Sequence, residues 1–275
     1  MADPINLTAS VRGNLLTLQR TSSLIASTQT RLSTGLKINS ALDDAAAFFT
    51  AKALSDAASD FDSLKSNIDL AVSTIQSAID GIDAITELVN QAKGLASNAK
   101  ATGDTSERST LAVQFNELLD QIDAIANDST FNGTNLLKAS PDDLAVEFNT
   151  ENTSNLTITG LDATTATSGI NIAAAANNFG LTANIDTALT AISAALTELR
   201  SNASTMGSNN TVLSTRLDFT QSLVNTLEGG EGKLTLADLN EESANLLALQ
   251  TRQQLGINSL ALAAQSERSI LALFG

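Results

Sequence analysis

Apolar side chains recur along this chain with the period of a helix packed against another helix. Near the start, Val11, Leu15, Leu18, Ile25, Leu32 and Leu36 follow an alternating four-three spacing, with Ser22 and Gln29 filling the remaining positions. Near the end, Leu239, Leu246, Ile257, Leu260, Ala264, Leu271 and Phe274 follow the same spacing, interrupted by Ser243, Gln250, Gln253 and Glu267. A repeat of about 3.5 residues keeps one narrow stripe facing a partner helix. Both chain ends are therefore built to be buried against helices, which chain ends rarely are. That pattern points to assembly before catalysis.

The same reading places helices between the ends. The first is expected from near Thr8 to Thr34, with Gly35 as its left-handed C-cap. Ser40 with Asp43 reads as a weak capping box before a long second helix, whose seam is Ile68, Val72, Ile75, Ile79, Ile82, Thr86 and Val89 and which stops near Thr102 and Gly103. Asp104 and Glu107 open a third helix with the seam Leu111, Phe115, Leu118, Ile122 and Ile125. So short a connection makes these two antiparallel.

The texture changes at the turn Phe131-Asn132-Gly133. Leu144, Val146 and Phe148, then Leu156 and Ile158, alternate with polar or small neighbours and predict a β-hairpin with a long polar loop. The stretch 162–178 is rich in Thr, Ala, Ser and Asn and has no readable period. Ile185, Leu189, Ile192, Leu196, Leu199 and Met206 resume the heptad, continued by Leu213, Leu217, Val224 and Leu227, until Gly229-Gly230-Glu231-Gly232 is expected to break it. Thr235 and Asp238 then start the final helix. The expected fold is mainly α: a long, coiled-coil-like antiparallel bundle formed by both chain ends, with a small β-hairpin region in the middle.

Composition narrows the chemistry. Of the 275 residues 43% are hydrophobic, enough for a core, but the aromatics are nine Phe with no Trp or Tyr. The chain has no His and no Cys, which removes Ser-His-Asp and Cys-His nucleophiles, the usual zinc ligand sets, disulfides and thiol redox chemistry. A net charge of −15 repels phosphate backbones and anionic lipid, so neither nucleic-acid binding nor membrane insertion is expected. No stretch of about 18 apolar residues offers a transmembrane helix, and no basic segment followed by an apolar run offers a cleaved signal peptide.

Three candidate sites fail on their residues. Gly232-Lys233 lacks the earlier glycine of a phosphate loop, which falls at Leu227, and Leu234 replaces its Ser or Thr. Asp128, Thr130, Asn132 and Gly133 begin like a calcium loop, but the twelfth position is Ala139, not a bidentate Glu. The pairs Asp43-Asp44, Asp142-Asp143 and Glu241-Glu242 are adjacent, and neighbours on a helix diverge by about 100°. No catalytic, cofactor-binding or metal residue is expected.

Longer motifs carry a resemblance. The run from Arg31-Leu32-Ser33-Thr34-Gly35 to Asn39-Ser40-Ala41-Leu42-Asp43-Asp44-Ala45-Ala46 resembles the N-terminal signature of bacterial flagellins. Phe131-Asn132-Gly133-Thr134-Asn135-Leu136-Leu137 resembles the turn after their third helix. Gln250-Thr251-Arg252-Gln253-Gln254-Leu255-Gly256, Ser259-Leu260-Ala261 and Ser269-Ile270-Leu271-Ala272-Leu273-Phe274 resemble their C-terminus. The match covers about 1–138 and 185–275, leaving no room for large outer domains, as in the short flagellins of alphaproteobacteria.

The resemblance implies a non-enzymatic filament subunit without cofactors that polymerises with copies of itself. It also implies export of the unfolded subunit through the flagellar type III apparatus to the extracellular flagellum, with that apparatus, an export chaperone, the filament cap and the hook-junction proteins as further expected partners. It implies that 1–40 and 236–275 form an inner tube, 41–138 and 185–235 a helical shell, and 139–184 a small surface region. Val11, Leu15, Leu18, Ile25, Leu32, Leu246, Ile257, Leu260, Leu271 and Phe274 are the expected filament interface. In flagellins that trigger the vertebrate toll-like receptor, the second long helix bears an Arg-rich patch ending Glu-Leu-Ala. Here the stretch is Asn90-Gln91-Ala92-Lys93-Gly94-Leu95-Ala96, so Gln91 and Gly94 remove two charge-assisted contacts and Lys93 alone keeps a charge. A hook-associated junction protein shares such helical ends, and a carboxylate-based hydrolase is the reading from another class.

Overall fold

A computed structural model describes residues 9–274. In chain order it contains α1 (Ala9–Thr34), α2 (Ala45–Ala101), α3 (Thr105–Asp128), β1 (Thr130–Phe131), β2 (Thr134–Asn135), β3 (Leu144–Glu147), β4 (Asn155–Ile158), a 3-10 turn (Ala176–Phe179), α4 (Thr182–Thr235) and α5 (Leu239–Phe274). It is a mainly α protein of long helices with two short antiparallel hairpins, β1–β2 and β3–β4. The expected helix start near Thr8 lies outside the described residues. The chain divides into two units, Ala58–Asn225, and Met1–Ala57 with Thr226–Gly275; α2 and α4 contribute to both.

The 58–225 unit is built on two columns of α2. Ile68, Ile75, Ile82, Val89 and Ala96 form one, Ala71, Ala78, Ile85, Ala92 and Ala99 the other, and all are buried. Each column repeats every seven residues, so α2 offers a face wide enough for two neighbours. Asp104 caps α3 by accepting from the Ser106 N–H at 2.8 Å. Ala112, Phe115, Leu119, Ile122 and Ala126 of α3 are buried in the same core as Ile185, Ile192, Leu196, Leu199, Met206 and Leu213 of α4. Lys100–Asp186 at 2.6 Å and Lys65–Gln221 at 2.9 Å show α2 and α4 to be antiparallel.

Buried Asn135 organises the chain after α3. Its Nδ2 donates to the carbonyls of Ala126 and Asn127, and its Oδ1 accepts from the N–H groups of Leu137 and Lys138. Asn132 and Gly133 both take positive φ, 49° and 83°, so the expected turn is a two-residue hairpin turn. The predicted second hairpin forms with Leu144 opposite Ile158 and Val146 opposite Leu156, and the Arg216 guanidinium covers the Phe148 ring at 4.8 Å. The unreadable stretch 162–178 is fastened to α3 from a distance. Asp123 accepts from the N–H and hydroxyl of Thr165, Asn116 accepts from the Ala175 N–H, and Phe179 meets Phe115 edge-on at 5.2 Å.

The other unit pairs the chain ends. Gly35 takes φ 73° as α1's C-cap, as anticipated. The chain then makes an antiparallel bridge between Leu36 and Leu236, with Lys37 N–H donating to the Thr235 carbonyl at 2.7 Å and Ala237 N–H to that of Gly35 at 2.9 Å.

Three sequence expectations need correction. The glycines 229, 230 and 232 do not end a helix, because α4 continues to Thr235. A Cβ at Gly230 would lie 3.3 Å from Leu54 Cδ1, so here glycine permits close packing inside a helix. Asp44, not Ser40, caps α2, accepting from the Ala47 N–H at 3.0 Å. Asp43 instead closes the turn before it. The N–H groups of Asn39 and then Ser40 hold its carboxyl below the usual carboxylate range. Thr235 belongs to α4, and Asp238 alone opens α5 by accepting from the N–H groups of Asn240 and Glu241.

Candidate assembly surface

Helices α1 and α5 pack along one another over much of their length. The Arg31–Glu242 ion pair at 3.1 Å marks one end of the contact, and Gly256, whose Cβ would lie 3.2 Å from Leu18 Cγ, marks a point about two and a half turns along α1. These two fixed points set an antiparallel alignment. The covered positions of α1 are Val11, Asn14, Leu18, Thr21, Ile25, Thr28 and Leu32; those of α5 are Glu242, Leu246, Leu249, Gln253, Gly256, Leu260 and Ala263. Both sets keep the four-three spacing, but each shares only one of its two columns with the sequence-derived seam. The second column lies one residue earlier, at Asn14, Thr21 and Thr28 in place of Leu15, Ser22 and Gln29. In α5 it is Leu249 and Gly256, not Gln250 and Ile257.

That shift has a steric cause. A seam filled on both sides by large residues holds the axes apart, whereas threonines, a glycine and an alanine let them approach. Leu18 occupies the hollow above Gly256 as a knob in a hole.

The residues expected at the interface therefore fall into two groups. Val11, Leu18, Ile25, Leu32, Leu246 and Leu260 close the pair within one chain. Leu15 and Ile257 stay 41% and 47% exposed, pointing off the seam. The side chains of Leu271 and Phe274 lie outside the described residues. Further large apolar residues are exposed on the same two helices: Leu16 and Leu24 on α1, and Leu239, Leu247, Leu255 and Leu262 on α5. On α5, Leu247, Leu255 and Leu262 lie well over 90° around the axis from the seam at about 100° per residue. A four-three template passes over these residues because they fall between its positions. An apolar count taken off the seam would have found them.

Among the described residues nothing covers these side chains, and exposed apolar residues grouped in this way mark an interaction face. In the other unit, Gln91, Lys93 and Gly94 are exposed on α2. Gln91 and Gly94 line an open groove with Leu95 and Asn98, closed on its far side by Gln114, Glu117, Leu118 and Gln121 of α3. The groove presents four amides and one carboxylate over a leucine floor, with no arginine. Among the described residues no helix is long and apolar enough to cross a membrane, and no cluster of acidic side chains is arranged to hold a metal ion.

Residues 5–142 match the bacterial flagellin N-terminal helical region, and residues 189–274 match the bacterial flagellin C-terminal helical region. The chain is 35% identical to flagellin FljK of Caulobacter vibrioides over 98% of both chains, and 36% identical to flagellin FljO of that organism over 95% of this chain and 96% of that one. A flagellin of Brucella melitensis biotype 1 is 30% identical over 94% of this chain and 95% of its own. The crystal structure of Bacillus cereus flagellin superposes with a TM-score of 0.49 at 20% identity, covering 56% of this chain and 88% of that one.

Proposed function

For a chain that belongs to the bacterial flagellin family, we propose that the uncovered apolar faces of α1 and α5 are the surface on which copies join. Family membership makes the protein a structural subunit that self-polymerises into the flagellar filament, not an enzyme. The observation behind the surface is the row Leu247, Leu255 and Leu262, exposed on one helix and facing away from its partner. Leu15, Leu16, Leu24 and Ile257 are further exposed apolar positions on the same two helices. Val11, Leu18, Ile25, Leu32, Leu246 and Leu260 serve assembly indirectly, by holding the two helices as one block, and Leu271 and Phe274 continue the expected interface toward the chain end. Segments 1–40 and 236–275 supply the inner tube, 41–138 and 185–235 the shell, and 139–184 the outer surface.

The subunit travels unfolded through the flagellar type III apparatus to the cell exterior without a cleaved signal, and meets an export chaperone, the filament cap and the hook-junction proteins. The α2–α3 groove, with Gln91 and Gly94 in place of charged groups, stimulates the flagellin-sensing toll-like receptor weakly. A reporter-cell titration against a flagellin bearing the charged patch checks this; equal potency would overturn it.

The test of the surface is substitution where no intrachain contact is lost. Leu255→Asp and Leu262→Asp leave the circular dichroism and thermal unfolding of the monomer unchanged and abolish filaments in negative-stain micrographs. Normal filaments from both variants would remove this face from the assembly.

A further inference from the structure

A single patch that meets its own copy closes on itself as a pair. Head-to-tail growth of a filament needs two different patches on each subunit, the first of one copy seated on the second of the next. The row Leu247, Leu255 and Leu262 on α5 supplies one patch. Thr251 and Asn258 lie between those leucines on the same face, so the row is uncharged along its length of about 22 Å.

The unit made from the chain ends holds a second apolar surface, where residues 36–39, the start of α2 and the end of α4 come together. Leu36, Ile38, Phe48 and Ala51 wall a hollow that Lys52 and Glu231 also line. Beside it stand Leu42, Phe49 and Leu236, which are 97%, 63% and 59% exposed. The Phe49 ring meets that of Phe48 edge-on at 5.6 Å, and Leu236 forms the backbone bridge with Leu36. Leu42 tips the turn that the Asp43 carboxyl closes by accepting from the N–H groups of Asn39 and Ser40. Bridge and turn hold the hollow open in advance, which lowers the ordering cost of docking.

We infer that this hollow is the seat for the α5 leucine row of a second copy, laid in as a helix in a groove. The row cannot reach the hollow of its own chain. Helix α5 starts at Leu239, close to the bridge, and Leu247 and Leu255 lie about 12 Å and about 24 Å farther along it. A copy displaced along the helix axis brings row and hollow together, and every added copy repeats the step. Charge agrees with this pairing. Lys52 pairs with Asp56 at 2.6 Å and is drawn to Glu231 as well, so the hollow has one carboxylate in excess. Arg252, next to Thr251 at the border of the row, has no carboxylate partner among the described residues. The two uncompensated charges are opposite in sign.

The inference rests on the reading of Leu247, Leu255 and Leu262 as a joining surface, and its test separates the two. The chain contains no cysteine, so introduced pairs report contacts without background. Ser55 also lines the hollow. Copies with Leu247→Cys, Leu255→Cys or Leu262→Cys are incorporated as a minority into filaments of Ser55→Cys copies and mildly oxidised. At least one of the three gives a disulfide between unlike copies, at least tenfold above its level in the mixed monomers. Phe49→Asp leaves the thermal unfolding of the monomer unchanged and slows polymerisation at least tenfold. Normal polymerisation of Phe49→Asp, or no unlike disulfide from any of the three positions, overturns the seat. If Leu255→Asp and Leu262→Asp still block assembly in that case, the row keeps its role and only its partner is wrong. Normal filaments from those two variants remove the row itself and the seat with it.

Discussion

Gly81 occupies a mid-helix position in α2 where alanine would be the better helix former. A Cβ there would overlap Ser129 Oγ and lie 2.7 Å from Leu137 Cδ1, so the turn after α3 sits directly on the glycine. Gly81→Ala therefore lowers stability by about 1–3 kcal/mol despite its helix propensity, because overpacking outweighs the backbone gain. Denaturant unfolding measures it. Asp142 makes a second residue-scale case. Lys138 first, then the Asn135 N–H, hold its carboxyl below the ordinary carboxylate range. A group whose pKa is lowered by folding contributes stability that is complete above its unfolded pKa of about 3.9 and is lost as pH falls through the lower folded value. Asp142→Asn flattens that part of the acid limb of a pH–stability curve for the 58–225 unit, and leaves the curve's shape above about pH 5 unaltered.

Among the elements, α4 is where local chemistry and packing disagree. A Cβ at Gly229 would have nothing within 4 Å, whereas Gly230 lies against Leu54. Gly229→Ala thus stabilises the helix by about 0.5–1 kcal/mol, and Gly230→Ala gains little, since Leu54 must move. A pair of thermal unfolding curves separates them. The same helix shows what the chain spells out locally and what it does not. Asp104 as a cap, Asn132-Gly133 as a hairpin turn and the alternation around Val146 were all legible, because each depends on residues within a few positions. The continuation of α4 through three glycines was not, since its reason, Leu54, lies far along the chain. In α1, α2, α3 and α5 one column of the four-three template is covered and the second covered column lies one position away, chosen by how closely two axes approach, whereas in α4 Leu196 keeps the template's second column beside Ile185, Ile192 and Leu199. The Leu247, Leu255 and Leu262 face was missed for the same reason. The stretch 162–178 has no period to read because Asp123 and Asn116 hold it from another element.

At the scale of the molecule, charge is divided unevenly. Residues 58–225 hold twenty of the thirty acidic and seven of the fifteen basic residues, a formal −13 out of −15. The unit made from the chain ends is nearly neutral, so copies brought together through it face little repulsion there while their acidic units repel. Raising ionic strength from about 0.01 M to about 0.15 M shortens screening from about 30 Å to about 8 Å. Polymerisation followed by light scattering accelerates over that range, and a rate indifferent to salt would contradict the division. Burial is equally uneven: large aliphatic and aromatic side chains fill 58–225, whereas threonine, glycine and one ion pair occupy much of the α1–α5 seam. Hydrogen exchange is therefore faster throughout α1 and α5 than in α2 from Ile68 to Ala99. The division also has a consequence in time. Residues 58–225 are one unbroken stretch, able to fold as soon as that stretch is free, but the remaining unit is assembled from both tails. From whichever end the chain is delivered, the α1–α5 pair cannot close until residues from both tails have arrived, so the unit made from the chain ends is the last to form.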